Sequence, residues 1–419
     1  MPGKNYWVIS RPKRKLILVP DLLRIFSATV EGKNWSRYYQ KRFEKNLMEA
    51  GWKALNLSVD GSGGRTYAVL LFMLGLWYED EENNVSITLA GQEILDGDPP
   101  VPIITKQLLD FQYPSPYSIK RNVNVSSDYK IRPFRFILNL LLDKNVGTIT
   151  QDEIGFCLVP FAKKDDDIDL CMEKIQNFRN DPESSIKQAV QISGTTIDNL
   201  RNIGNTAVNN LEYTRLFQEE ADIRSLTLKP EKIEDAKKCL NNLRKTLLQD
   251  PENEKIFQRR YGTGLRKTKD YSDSIRKKDE ISPNERKILE QFYIITSIEP
   301  IFSINSEIIT RISARTGAAE QMISNVLEKM PLQSHLTQFY DSYLRLSVGG
   351  RTTAEDFERK TAAIFNNGFK IHASWVGRSP RHPDILLFLI PPFSHPPPSW
   401  SKKTFSKIQS SIIKFLAFI

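Results

Sequence analysis

The chain has 419 residues, of which 40% are hydrophobic and 26% are charged. This length is too great for one ordinary domain, and the hydrophobic content is too high for a disordered protein, so we expect two to four globular units. The formal charge is +9 at pH 7 although 50 residues are acidic. Such an excess suits a polyanionic partner, because cations that neutralise phosphates release counterions. Charge alone fits a basic protein without such a partner equally well.

Cysteine and histidine usage argues against disulfides and zinc. Cys157, Cys171 and Cys239 are odd in number and far apart, which fits a reducing cytoplasm. The four histidines add no group with the ligand spacing of a zinc site. The first residues lack the apolar stretch of a secretion signal, and the longest apolar run, Tyr67 to Tyr78, is too short to span a membrane. We therefore expect a cytoplasmic protein without membrane contact.

The first predicted domain, residues 1–120, shows helical patterns followed by a strand pattern. Apolar residues recur at helical spacing from Asn34 to Gly51, with cations on the other faces. A second, almost wholly apolar helix is predicted from Thr66 to Leu76, and a short strand begins at Val85. Helix, turn, helix and strand pair is the order of a winged helix. Because the second helix is apolar, base contacts are expected from Arg65 in the preceding loop or from the basic helix before it.

The second predicted domain, residues 121–249, repeats this order. The sequence predicts helices at Pro133–Leu142 and Asp165–Arg179, and Thr150 with Glu153 forms a capping box that begins another. A hairpin-like pattern covers Tyr213 to Leu228, and a helix follows from Ile233 to Leu247. We therefore predict tandem winged-helix modules.

Residues 250–345 begin with a charged segment that allows two interpretations. The segment from Asp250 to Pro283 contains many lysines and arginines. It is either a solvated linker or a flexible arm that contacts phosphates. Helices are predicted at Pro283–Ile298 and Asn305–Met330, within an arm that leads to the C-terminal part.

An ordered series of sequence blocks resembles a known family. In chain order, the blocks are Tyr6–Ser10, Val30–Trp35, Ile87–Gly91, Thr105–Leu109, Phe111–Ser115, Pro133–Leu138, Phe156–Leu158, Phe178–Arg179, Tyr213–Thr214 and Leu226–Glu231. As a set they resemble the AlwI-like type IIS restriction and nicking endonucleases, over about the first 390 residues.

The resemblance implies a site-specific DNA reader joined to a nuclease. Winged-helix modules recognise a short asymmetric site in double-stranded DNA, and a C-terminal PD-(D/E)xK domain cuts a few base pairs away. The expected fold is therefore multidomain and mainly α with small β-hairpins, plus an incomplete α/β nuclease domain over residues 346–419.

The nuclease motif implied by the resemblance is only partly present. Glu358 matches the helix acid, and Asp384, after a proline and before an apolar run, matches the strand aspartate. Both would bind Mg²⁺, which neutralises the charge that develops during phosphodiester hydrolysis. No Asp or Glu follows Asp384 through Ile419, so the second strand acid and its lysine are missing. A frameshift or premature end after about residue 388 would explain this segment, and a divergent tail is the alternative.

Three hypotheses follow from these residues. The chain is a type IIS endonuclease that is inactive in this copy, a nicking or accessory subunit that needs a partner, or a non-catalytic winged-helix regulator. We expect it to bind its site but to cut feebly or not at all. A second nuclease subunit or transient dimer would be needed for double-strand cleavage, and a cognate DNA methyltransferase is the expected genetic partner. The residues expected to contact DNA are Lys33, Arg37, Lys41, Arg42, Arg65 and Lys106.

Overall fold

The computed structural model describes residues 3–12, 15–52, 57–121, 123–143, 146–220, 224–269, 282–298, 301, 304–329, 343, 346, 354–369, 371–377 and 384–388. These residues are mainly helical. In chain order, the helices are α1 (Val19–Val30), α2 (Arg37–Glu49), α3 (Ser62–Met73), α4 (Leu89–Asp96), α5 (Pro100–Asp110), α6 (Pro116–Ile119), α7 (Pro133–Leu142), α8 (Gln151–Glu153), α9 (Ile168–Asn180), α10 (Pro182–Ser193), α11 (Ile197–Glu212), α12 (Ile233–Asn242), α13 (Glu254–Tyr261), α14 (Pro283–Ile298), α15 (Ser306–Thr316), α16 (Glu320–Glu328) and α17 (Ala354–Ala363).

Small antiparallel sheets accompany these helices. β1 (Trp77–Glu79) pairs with β2 (Val85–Ile87), and the C-terminal β6 (His372–Trp375) pairs with β7 (Ile385–Phe388). A three-stranded sheet has the order β3–β5–β4, from β3 (Thr148–Thr150), β4 (Phe217–Glu220) and β5 (Ser225–Leu228).

The chain divides into two compact units. The first comprises residues 1–298 and 303–342, and the second comprises residues 299–302 and 343–419. The finer boundaries predicted at 120, 249 and 345 stay predictions. No helix among the described residues is long and apolar enough to cross a membrane.

An aromatic cluster organises the first helices. Phe26 of α1 contacts Trp35, Phe43 and Trp77, with ring centroids 5.0 to 5.4 Å apart. Phe72 of α3 packs on Trp77 at 5.3 Å. Such buried aromatic pairs contribute about 0.5–1.5 kcal/mol each beyond the area that they remove from water. The cluster therefore fixes α1, α2, α3 and β1 relative to one another.

Several predicted elements are confirmed. The predicted helices at Pro133–Leu142 and Pro283–Ile298 coincide with α7 and α14. The capping box is present, since the Thr150 hydroxyl accepts from the Glu153 N–H and the Glu153 carboxylate accepts from the Thr150 N–H. The single helix predicted over 305–330 is wrong. It is two helices, α15 and α16, because Gly317 adopts a left-handed φ of 70° that ends the first.

The described part of the charged segment is packed rather than solvated. The Glu93 carboxylate of α4 accepts the backbone N–H groups of Leu265, Arg266 and Lys267, at 2.7 to 2.9 Å. Arg266 also forms an ion pair with Asp98 at 2.6 Å. These contacts favour neither a solvated linker nor a flexible arm for residues 264–267. Arg276, Lys277 and Lys278 lie outside the described residues.

Candidate nucleic-acid interface

A cleft of about 540 Å³ lies in the first unit, and we call it the N-terminal cleft. Its polar lining includes Lys4, Arg11, Ser62, Arg65, Arg121 and Asn199. Among the described residues that line the cleft, four are cations and none is acidic. Such a lining attracts anionic ligands, although carboxylates outside it form ion pairs with Arg65 and Arg121.

Two helices present their first turns to this cleft. Ser62 and Arg65 lie in the first turn of α3 and Thr66 directly follows it, whereas the later residues of the helix are mostly buried. Asn199 lies in the first turn of α11. The apolar character of α3 thus coexists with a polar N-terminal turn, as expected for a helix whose body belongs to the core.

The N-terminal segment forms a third wall. The Arg11 guanidinium donates to Asn199 Oδ1 at 2.7 Å, which joins this segment to α11. Trp7 is fully buried, and its indole N–H donates to the carbonyl of Ala162 at 2.9 Å. Lys4 and Arg11 are therefore placed by a segment with a buried anchor.

Arg65 is the predicted DNA contact that lies in the N-terminal cleft. Its guanidinium donates to Gln40 Oε1 at 2.8 Å and forms an ion pair with Asp60 at 2.6 Å. The hydrogen bonds from Arg65 and Ser62 hold the pKa of the Asp60 carboxyl well below its usual range. These contacts orient the arginine, which stays partly exposed.

The other cations predicted on or near α2 lie elsewhere. Lys33 is half-buried, and its carbonyl accepts from the Val85 N–H at 2.9 Å. Arg37 is exposed and donates to the carbonyl of Val59 at 3.1 Å. Lys41 and Arg42 line a different groove, described below. Burial opposes the charge of Arg42, but hydrogen bonding and the charge of Glu290 outweigh burial and raise the pKa of Arg42.

Lys106 lies at an internal contact. Its ammonium donates to the carbonyl of Thr263 at 2.8 Å and to Gln107 Oε1 at 3.0 Å. Burial lowers the pKa of Lys106 to about 8. The side chain therefore connects α5 to the segment after α13, and its contact with DNA stays a prediction.

This pKa predicts how Lys106 affects stability as pH changes. Between pH 8 and 10.5 the folded protein has lost the Lys106 proton while the unfolded chain retains it, so the Lys106 contribution to stability rises with pH. We expect the free energy of unfolding of the wild type, minus that of Lys106→Met, to rise by on the order of 1–3 kcal/mol across this interval. Urea unfolding at several pH values measures this difference. Burial raises the pKa of Cys157 and Cys171, but both thiols are present in each protein and cancel. A difference that does not change with pH would contradict the prediction, and exposed Lys187→Met is the matched control.

Sequence reasoning missed Lys4, Arg11, Arg121 and Asn199. Arg121 adopts a positive φ of 58° and forms ion pairs with Glu79 and Glu254 at 2.8 and 2.7 Å. Its guanidinium also lies 4.4 Å from the ring centroid of Phe72. These contacts give Arg121 a structural role at the floor of the cleft. The signal for Asn199 was the helical period of Leu200, Ile203 and Ala207, which the surrounding asparagines obscured.

In the second unit, each of the two predicted nuclease acids has a contact at the end of β6 or at the residue after it. Glu358 of α17 is half-buried, and its Oε2 accepts from the indole N–H of Trp375 at 2.8 Å. The carbonyl of Asp384 accepts from the Val376 N–H at 2.9 Å, and its side chain is exposed. Glu358 therefore contacts the last residue of β6, and the main chain of Asp384 pairs with the residue that follows β6.

The space around Glu358 depends on a glycine. A Cβ atom on Gly377 would lie 2.4 Å from Glu358 Oε2, so the carboxylate would have to shift away from its position. The Arg359 guanidinium stacks on the Trp375 ring at 3.6 Å and fixes the indole that donates to Glu358. Ala362, Phe365 and Ala373 form a small core beneath these residues.

The donor set offered by these residues is oxygen only. No group of three or more His, Cys, Asp or Glu that could hold a metal ion occurs within the described ranges. Two carboxylates are nevertheless a donor set that fits Mg²⁺, which keeps several waters and takes its remaining ligands from substrate phosphates. Residues 389–419, where a third acid is missing from the sequence, lie outside the described residues.

Comparison with known protein families shows to which family the chain belongs. The family described as AlwI restriction endonuclease matches residues 72–330, more than half of the chain. The chain belongs to the AlwI restriction endonuclease family. Residues 317–391 match a second family, described as the cleavage domain of FokI. The predicted resemblance to AlwI-like enzymes is thereby confirmed, and restriction endonuclease is the general class.

The chain was also compared with solved structures and with curated proteins. The binding domain of the BpuJ1 endonuclease, from a crystal structure with pyrene- and phenanthrene-modified DNA, has 18% sequence identity and a TM-score of 0.44. The match covers 61% of this chain and 97% of that one. Among curated proteins, none matches the chain.

Proposed function

We propose that this chain is a type IIS restriction endonuclease whose first unit recognises a short asymmetric site in double-stranded DNA through the N-terminal cleft. The observation that supports this most strongly is the lining of the cleft. The first turns of α3 and α11 and the N-terminal segment meet there, with four cations and no acid among the described lining residues. DNA is the polyanion that a member of this family is expected to bind.

The repeated order of elements supports winged-helix modules. In the first repeat, α1 is followed by a segment that bridges to β2 at Glu31 and to the residue before β2 at Asn34, then by α2, α3 and the β1–β2 hairpin. In the second repeat, α7 is followed by β3, α8, α11 and the β4–β5 hairpin, with α9 and α10 inserted. Helix, short strand, two helices and hairpin is the order of the winged helix, in which the N-terminal turn of the last helix of each repeat is presented to the major groove.

The side chains in the cleft suit direct readout. Arginine can donate two hydrogen bonds to guanine, and asparagine can form two with adenine. Arg65 and Asn199 are therefore proposed as base-contacting residues, while Lys4 and Arg11 are proposed to contact phosphates. Arg37, Lys33 and Lys106 remain proposed DNA contacts, with Lys106 the least accessible of them because of its bonds to Thr263.

The second unit is proposed to be a PD-(D/E)xK nuclease module. When bound there, Mg²⁺ would neutralise developing negative charge and lower the pKa of a water nucleophile. Glu358 and Asp384 would hold it, with Trp375 orienting the Glu358 carboxylate. Because residues 385–419 contain no Asp or Glu, no further acid of this segment completes the ligand set or orients water. We therefore expect specific binding with feeble cleavage or none.

Selection from randomised duplexes tests recognition. We expect the wild type to enrich one asymmetric motif, and Arg65→Ala and Asn199→Ala to relax it at separate positions. Removing either bidentate interaction with a base should reduce discrimination about 5- to 150-fold, or about 1–3 kcal/mol. Lys187→Ala, at an exposed ion pair on α10, should leave the motif unchanged. Recognition through the cleft is refuted if no motif is enriched, or if both variants enrich the wild-type motif.

Cleavage is tested separately on methylation-free plasmid that contains the selected motif. With Mg²⁺ we expect no discrete fragments. Discrete fragments would overturn the expected inactivity and leave the recognition proposal intact. The absence of acids in residues 385–419 also favours a second candidate, a non-catalytic DNA-binding regulator. Nicking by the purified chain, or double-strand cleavage on addition of a second nuclease subunit, would distinguish an accessory subunit from a regulator. A methyltransferase gene beside this one would favour both enzyme hypotheses.

A further inference from the structure

A second groove of about 550 Å³ lies between α2, α14 and α15. We call it the basic groove, and its charged lining residues are Lys41, Arg42, Lys45, Lys287 and Arg315 with Glu49 and Glu290. Five cations against two carboxylates leave a net charge of +3. None of its lining residues also lines the N-terminal cleft.

The charges of the basic groove are only partly neutralised. Arg42 forms an ion pair with Glu290 at 3.0 Å, and Lys45 lies 3.5 Å from Glu49. Arg315 donates to the neutral amide of Gln291 at 3.2 Å. Among the described residues, neither Lys41 nor Lys287 has a hydrogen-bond or ion-pair partner, and both are exposed. The cations left over therefore come from three different helices.

The ion pair in the groove has a geometric role. Arg42 and Glu290 connect α2 to α14, and the carboxylate is almost completely buried while the guanidinium is partly exposed. This pair holds the helix that contains Lys41 beside the helix that contains Lys287. Tyr38, whose side chain is 64% exposed, adds a hydroxyl donor at the rim. Lysine, arginine and tyrosine are common donors to phosphate oxygens.

We propose that the basic groove binds the phosphate backbone of DNA that flanks the recognised site. This rests on the proposed function, since a duplex longer than the site must continue beyond the N-terminal cleft. The groove contacts phosphates through lysines, which are point charges that do not distinguish bases. It would therefore add affinity without adding sequence preference, and its effect would depend on salt.

A variant with four groove cations removed tests this inference. Lys41, Lys45, Lys287 and Arg315 are each replaced by glutamine, while Arg42 is kept because it supports the fold. The matched control replaces four exposed lysines on or near α10 and α12, Lys187, Lys237, Lys238 and Lys245, so that both variants lose the same charge. Binding to the selected site within a long duplex is measured between about 50 and 200 mM salt.

We expect the groove variant to bind the long duplex at least about 10-fold more weakly than the control variant at the higher salt concentration. The slope of log affinity against log salt should fall by about 0.9 for each phosphate that the variant no longer neutralises. The selected motif should be unchanged. On a duplex trimmed to the motif, groove and control variants should bind equally.

The inference is overturned if the groove and control variants have the same slope on the long duplex. A second measurement follows the acetylation of Lys41 and Lys287 in the wild type, with DNA or with polyglutamate. The inference is also overturned if polyglutamate slows this acetylation and DNA does not, since the groove would then suit an acidic protein. Failure of the proposed recognition looks different. In that case Arg65→Ala and Asn199→Ala leave the motif unchanged, whatever the groove variant does.

Discussion

Replacing Asp110 with asparagine is expected to lower the free energy of unfolding by about 3–5 kcal/mol, as for other buried ion pairs that lose one partner. Asp110 ends α5 and is 3% exposed. Its carboxylate accepts from Arg135 at 2.6 Å, and Arg132 lies 3.9 Å away. Burial lowers the pKa of both guanidinium groups, and the charge of Asp110 opposes that lowering. Without it, two arginines stay buried without their hydrogen-bonded counter-charge, and only the more distant charge of Asp165 still favours their charged form.

The consequences of this substitution reach beyond stability. Arg135 also donates to the carbonyl of Arg244, and Arg132 donates to the carbonyl of Thr246. The Asp110 carboxylate thereby stabilises the junction of α5, α7 and the segment after α12. This junction joins the two repeats. Because the two repeats provide different walls of the N-terminal cleft, we expect Asp110→Asn to weaken specific DNA binding as well.

Urea unfolding followed by circular dichroism measures the loss. Glu183→Gln is the matched control, because it removes one carboxylate from an exposed pair with Lys187, and such pairs contribute no more than about 1 kcal/mol. If Asp110→Asn loses no more stability than this control, the buried network is not the support described here.

Replacing Gly204 with alanine is expected to destabilise the protein by about 1–3 kcal/mol, although alanine is the better helix former. Gly204 lies in the middle of α11 and faces α8. An added Cβ would lie 2.0 Å from the carbonyl oxygen of Gln151 and 2.9 Å from the nitrogen of Gly155. Real Cβ atoms do not approach backbone atoms so closely, so α11 must move, and Asn199 moves with it.

The same contact occurs in the first repeat. A Cβ on Gly64 of α3 would lie 2.3 Å from the carbonyl oxygen of Gln40 in α2. We therefore expect Gly64→Ala and Gly204→Ala each to lower the urea midpoint and to weaken specific binding more than nonspecific binding. Gln191→Ala, at an exposed position of α10, controls for helix propensity and should change neither. Wild-type stability and specificity in both glycine variants would contradict this account of the helix crossing.

Local signals in the sequence were sufficient for part of the fold. Pro133 and Pro283 mark the starts of α7 and α14, and the Thr150–Glu153 capping box is visible in the sequence because its two residues interact locally. α11 was not predicted, because its asparagines have poor helix propensity and its stability comes from the buried face of Leu200, Ile203 and Ala207. Tertiary packing stabilises such a segment, and the helical period of these three apolar residues is a weak local signal among the asparagines.

The predicted DNA contacts illustrate a second limit. Charge drew attention to Arg65, Lys106 and the basic residues of α2, yet the fold assigns these cations to different surfaces. Arg65 faces the N-terminal cleft, Lys41 faces the basic groove, and Lys106 is bonded to Thr263 inside the fold. The surface that a cation reaches depends on helix packing between residues distant in sequence. For the same reason, the approach of Arg11 to Asn199, 188 positions later, could not be predicted.

The two glycine crossings have a consequence for how target preference can change. Gly64 and Gly204 set the positions of α3 and α11 through contacts with main-chain atoms, and main-chain atoms are the same whatever residues surround them. Apart from Gly64 itself, the exposed residues at the start of these helices are therefore free to vary without changing the position of either helix. A new target sequence could arise by exchanging a few side chains at Ser62, Arg65, Thr66 and Asn199. Such a scaffold separates the evolution of specificity from the maintenance of structure.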